Sequence, residues 1–277
     1  MNTQSNKTRT LGRQTSSLFV ELNERAKTTF TLRDVENITG LRGSSARSLI
    51  LKAERRGLVT RLRPGLYTLV PFELGRVTEY VGDPYIIAKE LCAGHHYFLS
   101  HASAMELHRM VTQPQLTIYV STSLRKPPQL IHGHEYRFVA VKPEQFFGLT
   151  EIWVTKQQAI KVSDKERTII DGLRQPEYAG GVPELAKALW MTRNEIKVAR
   201  LLDYTHRFRN GALTRRLGFL LELYKVATRE QLEQLRRKVT TTYDRLDPTL
   251  PKSGPFQARW HLQMNIDKAE LETIPHA

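Results

Sequence analysis

Residues 31–70, TLRDVENITGLRGSSARSLILKAERRGLVTRLRPGLYTLV, decide how the amino-terminal part of this chain folds. Thr31, with Asp34 three residues on, reads as a capping box that opens a short helix, and Gly40-Leu41-Arg42-Gly43 breaks it. Ser44 to Arg56 forms a second helix, because Ala46, Leu49, Ile50 and Ala53 recur at helical spacing as a single apolar stripe. Leu58 to Val70 reads as a hairpin turning at Pro64-Gly65. Helix, tight turn, basic helix and β-ribbon is the order of a winged helix-turn-helix, whose second helix enters the major groove of DNA.

The face opposite the stripe carries Ser44, Ser45, Arg47, Ser48, Lys52 and Arg55, with Arg42 in the preceding turn. Small hydroxyls let a helix approach a base-pair floor closely, and cations match base edges and phosphates. Leu51 also projects outward, either toward a thymine methyl or under the hairpin. Arg61 and Arg63 share one face of the ribbon and Leu62 the other, which suits phosphate or minor-groove contact at the wing. A solvated basic helix beside an ordinary hairpin is the plainer reading. The agreement of capping box, glycine-bounded turn, stripe and arginine-tipped ribbon favours DNA.

The chain of 277 residues has a formal net charge of +14, unevenly spread. Residues 1–63 hold 13 Lys and Arg against 5 Asp and Glu, and residues 193–238 hold 12 against 5. Between them, residues 64–192 balance at 13 against 13. Two basic blocks thus flank a neutral middle, and such blocks bind polyanions in a salt-sensitive way. The first block begins with a polar arm, residues 1–13, carrying Lys7, Arg9 and Arg13. The arm either lies in a minor groove or is a tail without a specific role. Within the second block, Arg207, Arg209, Arg215, Arg216, Arg236 and Arg237 form a candidate second nucleic-acid surface, the alternative being solvated faces.

Apolar and charged fractions are those of a globular protein. No run approaches 18 apolar residues, so no membrane span or membrane partner is expected, and the amino terminus lacks a signal-peptide core. A single cysteine, Cys92, excludes a disulfide framework and points to a reducing, cytoplasmic compartment, with Cys92 itself as buried packing.

The fold class expected is α+β: an N-terminal winged helix-turn-helix over residues 1–75, then a mixed α/β domain with a helical C-terminal part over residues 76–277. Leu18, Phe19, Leu22 and Ala26 make the core face of a first helix. Tyr85 to Cys92 reads as a helix, and Ser100 caps another that runs to about Met110. Strands are expected at 116–121, 136–141, 151–155 and 159–162. Ser163 and Glu166 make a capping box, as do Thr192 with Glu195 and Thr228 with Gln231, dividing a helical stretch that runs to about Val239. Residues 247–255 cannot be helix, and 256–265 returns as a strand.

A metal-dependent nucleic-acid-processing enzyme is the competing class, because Asp164, Glu166 and Asp171 cluster as nuclease carboxylates do. The capping box and the first-turn dipole account for Asp164 and Glu166 more simply. His95, His96, His101, His108, His132 and His134 show no zinc spacing, so neither metal, cofactor nor enzymatic activity is expected. A ligand-responsive winged-helix repressor is the other alternative.

Several segments together resemble one family. They are Arg63-Pro64-Gly65-Leu66-Tyr67, Tyr97-Phe98-Leu99-Ser100, the run from Ser163 to Asp171, the run from Arg215 to Glu222, Leu246-Asp247-Pro248, Ser253-Gly254-Pro255 and Arg259-Trp260. In this order they are similar to the AbiEi-like antitoxins of abortive-infection, type IV toxin–antitoxin systems, over nearly the whole chain. The resemblance implies a transcriptional autorepressor that binds inverted repeats in operator DNA upstream of its own gene. It further implies a carboxy-terminal domain that supplies antitoxicity in phage defence, opposing a nucleotidyltransferase toxin without a stable complex. By position it implies Ser44, Arg47, Ser48, Lys52, Arg61 and Arg63 as DNA contacts. The arm has no clear counterpart in the family.

Overall fold

The computed structural model describes residues 11–75, 77, 80–111 and 116–276, in two units. The first contains residues 1–94, 128–136 and 153–160; the second contains 95–127, 137–152 and 161–277. The class is mixed α+β.

The first unit opens with α1 (Arg13–Glu24), β1 (Thr29–Thr31), α2 (Leu32–Thr39), α3 (Gly43–Arg55), β2 (Val59–Arg63) and β3 (Leu66–Leu69). The three strands form one antiparallel sheet in the order β1-β3-β2. Thr31 and Asp34 make the expected capping box at α2: the Asp34 backbone N–H donates to Thr31 Oγ1 at 3.3 Å, and Thr31 N–H to Asp34 Oδ2 at 2.7 Å. Gly40 ends α2 at φ +72°, where its N–H donates to the Glu36 carbonyl. Gly65 takes φ +79° in the hairpin turn, as the Pro-Gly pair requires. Leu18, Leu22, Phe30, Val35, Ala46, Ile50, Leu58 and Tyr67 meet in one apolar core. Ala26, expected on the α1 core face, instead lies beyond that helix at φ +49°.

This unit extends past residue 75, which corrects the expected boundary. Helix α4 (Pro84–Leu91) belongs to it, capped by Asp83, whose carboxylate accepts from the N–H groups of Tyr85 and Ile86. Lys27 pairs with Asp34 at 2.9 Å and with Glu90 of α4 at 3.6 Å. Distant segments join the unit through Gln158, which donates to Thr28 Oγ1 at 3.1 Å, and through His132, whose Nε2 lies 3.3 Å from the Arg61 carbonyl.

The remaining strands are β4 (Tyr97–Leu99), β5 (Thr117–Thr122), β6 (Gln129–Ile131), β7 (His134–Ala140), β8 (Leu149–Trp153) and β9 (Ala159–Ser163), ordered β6-β7-β5-β4-β9-β8 in one sheet. Between β4 and β5 lies α5 (His101–Leu107). Then come α6 (Lys165–Arg174), α7 (Val182–Thr192), α8 (Val198–Phe208), α9 (Gly211–Leu223) and α10 (Arg229–Arg236). A small sheet, β10 (Asp244–Arg245), β11 (Phe256–Gln257) and β12 (Leu262–Gln263) in the order β10-β12-β11, precedes α11 (Lys268–Thr273).

Helix α6 is central to the second unit: it packs against α5, α7, α8 and α9, and Glu166 to Leu173 are all buried. The expected box from Ser163 to Glu166 is replaced by Asp164 alone as cap, with Arg167 N–H donating to Oδ1 at 2.7 Å. Thr192 does not open a helix but closes α7, donating to the Ala188 carbonyl. Thr228 and Gln231 do form their capping box. Ser100 stands at the α5 N-cap without a side-chain cap bond; its hydroxyl meets His101 Nδ1 and Ser121 Oγ instead. Cys92 is buried.

Candidate nucleic-acid interface

The periodicity of α3 sorts its side chains cleanly. Ala46, Ile50 and Ala53 are buried, Leu49 is half-buried, and Ser44, Ser45, Arg47, Ser48, Leu51, Lys52 and Arg55 are exposed. Arg42, at the N-cap position, is exposed as well and makes no side-chain cap bond. The turn into α3 is pinned from α2, since Gly43 N–H donates to Glu36 Oε1 at 3.0 Å. Asp34, at the start of α2, is part-buried, which works to raise its pKa. Hydrogen bonds from Lys27 and Thr31 outweigh that and hold the carboxyl below its ordinary range.

Beside α3, the hairpin presents Arg61 to solvent while Leu62 is buried and Arg63 half-buried. The register shifts between Arg61 and Arg63, so that Arg61 stands opposite Tyr67 and Arg63 opposite Leu66 with Leu62 as the extra residue. Gly65 is tied back by its carbonyl, which accepts from Leu32 N–H at 3.2 Å. A groove of about 410 Å³ runs between helix and hairpin, lined by Arg47, Leu51 and Glu54 on one side and Arg61 and Pro64 on the other. Leu51 is 47% exposed on its wall rather than packed beneath the hairpin. A second concavity flanks α3, where Gln14 and Leu41 face Ser44, Ser48 and Lys52. Gln14 and Leu41 had no motif to mark them; only the packing of α1 and of the α2–α3 turn beside α3 brings them there.

None of Arg42, Arg47, Lys52, Arg55, Arg61 and Arg63 has an ion-pair partner among the described residues. That contrasts with Arg25 and Lys27 of the same unit, which pair with Glu21 and Asp34. Arg13 begins α1 and is exposed, so it is part of a helix rather than of an extended arm. Lys7 and Arg9 lie outside the described residues.

The second basic block divides. Arg215 and Arg216, expected on a surface, are 1% and 5% exposed. Arg215 donates to Asp244 Oδ2 at 2.7 Å and to the Thr240 and Thr242 hydroxyls. Arg216 donates to the carbonyls of Leu246 at 2.9 Å and Leu173 at 2.8 Å, tying α9 to α6 and β10, and burial lowers its pKa. Both sit on the inner side of a helix whose residues 213–221 are all buried, so their charges are spent on the interior. Arg207 pairs with Asp203 at 3.0 Å and lies over the Phe147 ring. Arg209 and Arg237 are exposed and Arg236 is half-buried, and none of the three has an ion pair among the described residues.

The carboxylates of the competing reading are also occupied. Asp164 Oδ2 accepts from Tyr204 Oη at 2.8 Å, and Glu166, 4% exposed, accepts from Lys197 N–H at 2.7 Å. Asp171 accepts from Arg167 Nε at 2.9 Å, both fully inside the core, with the Arg167 guanidinium 4.4 Å from the Phe147 ring centre and 4.6 Å from that of Phe208. Asp164 and Glu166 thus hold α6 to α8 and to the segment before it, while Asp171 is 1% exposed and pairs within α6 itself.

No protein-family model matches the chain, and no curated protein does. A solved structure shares the fold. It is the crystal structure of the RV2827C protein from Mycobacterium tuberculosis, 16% identical, with a TM-score of 0.69 over 99% of this chain and 98% of the other. Among the described residues, no helix is long and apolar enough to cross a membrane.

Proposed function

We infer that α1 to β3 form a winged helix-turn-helix that binds duplex DNA, with α3 in the major groove and the β2–β3 hairpin as the wing. The observation that carries this reading is the face of α3 and the hairpin, where exposed cations and serine hydroxyls stand together and, among the described residues, no acid forms an ion pair with them, although Glu54 lines the groove. A surface salt bridge contributes little to stability, but an unpaired cation facing phosphate releases counterions and adds affinity. In this reading Arg47, Ser48 and Lys52 reach base edges, Arg42, Ser44, Ser45 and Arg55 hold the flanking backbone, and Arg61 and Arg63 contact phosphate or the minor groove beside it.

The protein is then a cytoplasmic, non-enzymatic autorepressor whose partner is operator DNA carrying inverted repeats. The resemblance of its motifs to AbiEi-like antitoxins supports the rest: antitoxicity against a nucleotidyltransferase toxin from the same operon, without a stable complex. A nuclease footprint over the DNA upstream of its own gene tests the first part. The expected result is protection of repeated half-sites at salt concentrations that abolish binding to unrelated duplex. Equal protection of all sequences would remove the autorepressor reading. Co-expression with the nucleotidyltransferase of a neighbouring gene tests the second part, the expected outcome being restored growth without co-purification.

A further inference from the structure

A separate feature lies in the second unit, on the small sheet β10-β12-β11. Tyr243 immediately precedes β10, Phe256 begins β11 and His261 immediately precedes β12. Strand pairing sets Asp244 against Leu262 and Phe256 against Gln263, so that Tyr243 falls beside His261 and Phe256 stands two positions further along β12. Tyr243 and His261 stack with ring centres 4.8 Å apart at 22°, and Phe256 meets Tyr243 edge-on at 5.1 Å and 80°. Rings of this size normally go to the core. Here Phe256 is 65% and Tyr243 43% exposed.

The arrangement is held against local preference. His261 adopts φ +49°, a conformation that side chains other than glycine disfavour, and its Nδ1 is fixed 2.6 Å from the Thr240 carbonyl. Phe256 also walls a cavity of about 550 Å³ together with Pro255, Met264 and Lys268. Cations lie next to it in the chain. Arg237 and Lys238 are exposed, and Lys238 is two residues, at most about 7 Å, from Thr240. Lys238 Nζ is 2.9 Å from His206 Nδ1, at the end of α8 that also exposes Arg209. The nearby carboxylate of Asp244 is taken up by Arg215.

We propose that this surface binds single-stranded RNA, with a base stacked on the exposed Phe256–Tyr243 pair and the phosphates tracked by Arg237, Lys238 and Arg209. Aromatic faces accept any base and cations accept the backbone, which is how single strands are held without sequence readout. Stable unpaired bases in a cell are mostly those of RNA loops and ends. The surface shares no residue with α3 or the hairpin, so it stands whether or not the first unit binds duplex DNA.

Fluorescence anisotropy of the full-length protein with a labelled RNA of about 12 nucleotides tests it. Binding is expected at 50 mM salt, weakened steeply toward 200 mM. Phe256→Ala and Phe256→Leu should each weaken RNA binding by about 5- to 100-fold, while Phe256→Trp retains it. Leucine keeps the apolar contact but not the ring, so its effect separates stacking from folding. Arg237→Ala with Lys238→Ala should flatten the salt dependence by about one to two contacts. No binding by the wild-type chain at 50 mM salt, or binding indifferent to loss of the Phe256 ring, overturns the proposal. Equal affinity for DNA of the same sequence overturns its assignment to RNA.

Discussion

Trp260 occupies the space that a side chain on Gly218 would need. A methyl added to Gly218 would lie 2.1 Å from Cζ3 of the indole, which is fully buried and donates its Nε1–H to Glu222 Oε2 at 2.6 Å. Two segments far apart in sequence, 215–222 and 259–260, thus lock α9 to the carboxy-terminal sheet. Gly218→Ala should destabilise the folded chain by about 1–3 kcal/mol or more, because neither a helix backbone nor a buried indole can yield cheaply. Urea unfolding followed by tryptophan fluorescence measures it, and an unchanged midpoint would show that the indole has room to move.

Arg47→Ala should cost roughly 1–3 kcal/mol of operator affinity, confined to one base position in each half-site, if its guanidinium pairs with a guanine. A uniform loss across sequences would make Arg47 a phosphate contact instead. Gel-shift titration over a set of single-base operator variants distinguishes the two.

Arg216→Ala should leave the salt dependence of DNA binding where it is and instead lower stability. Its carbonyl partners on Leu173 and Leu246 are inside the fold, so removing the donor strands them, a loss on the order of 1–3 kcal/mol for each buried group left unsatisfied. A stable variant with a flattened salt slope would return Arg216 to the surface role.

His101 supplies a pH dependence. Burial, opposed by the field of Asp171, pushes its imidazole down to about 4. The neutral ring is therefore favoured in the folded chain, and the unfolded chain takes up the proton first as pH falls. Stability contributed by this site is complete above the ordinary histidine range and is lost between about 6.5 and 4. Replacing His101 by Asn, which tolerates the φ of +52° found there, should make the fall in melting temperature over that window shallower than in the parent chain. Parallel slopes for the two proteins would mean that other groups carry the acid transition. Asp164, whose pKa burial raises, changes stability with the opposite sign as pH falls and is common to both proteins.

The boundaries of α2 and α3, the Thr31–Asp34 box and the Pro64-Gly65 turn were legible because each depends on residues within four positions of one another. So was the outward face of α3, since a period of 3.6 sorts side chains without knowledge of what they pack against. The same rule misled at Arg215 and Arg216. Nothing local distinguishes a solvated arginine from one that reaches Asp244, Thr240 or Leu246, up to 30 residues away. Ser163 to Glu166 failed for a related reason: Glu166 found the N–H of Lys197, a partner that outcompetes the local box.

The extent of the first unit was beyond reach as well. Residues 128–136 and 153–160 join it through bonds such as Gln158 to Thr28, and no periodicity announces a contact across 130 positions. Several of the segments that carry the family resemblance in the second unit build its interior, through Arg167 with Asp171, Arg216 with Leu246, Asp247 with the Val182 N–H, and Gly218 with Trp260, while Ser253-Gly254-Pro255 and Arg259 are exposed.

Short-range patterns therefore dictated which stretches coil, which extend, and which side of α3 meets water, since backbone hydrogen bonding and apolar spacing operate over a few residues. Long-range packing settled which charges remain free to meet a partner. Burying a guanidinium is tolerable only where carbonyls or a carboxylate from distant elements converge on it. That convergence exists around Arg167, Arg215 and Arg216, and among the described residues it is absent around Arg47, Lys52 and Arg61.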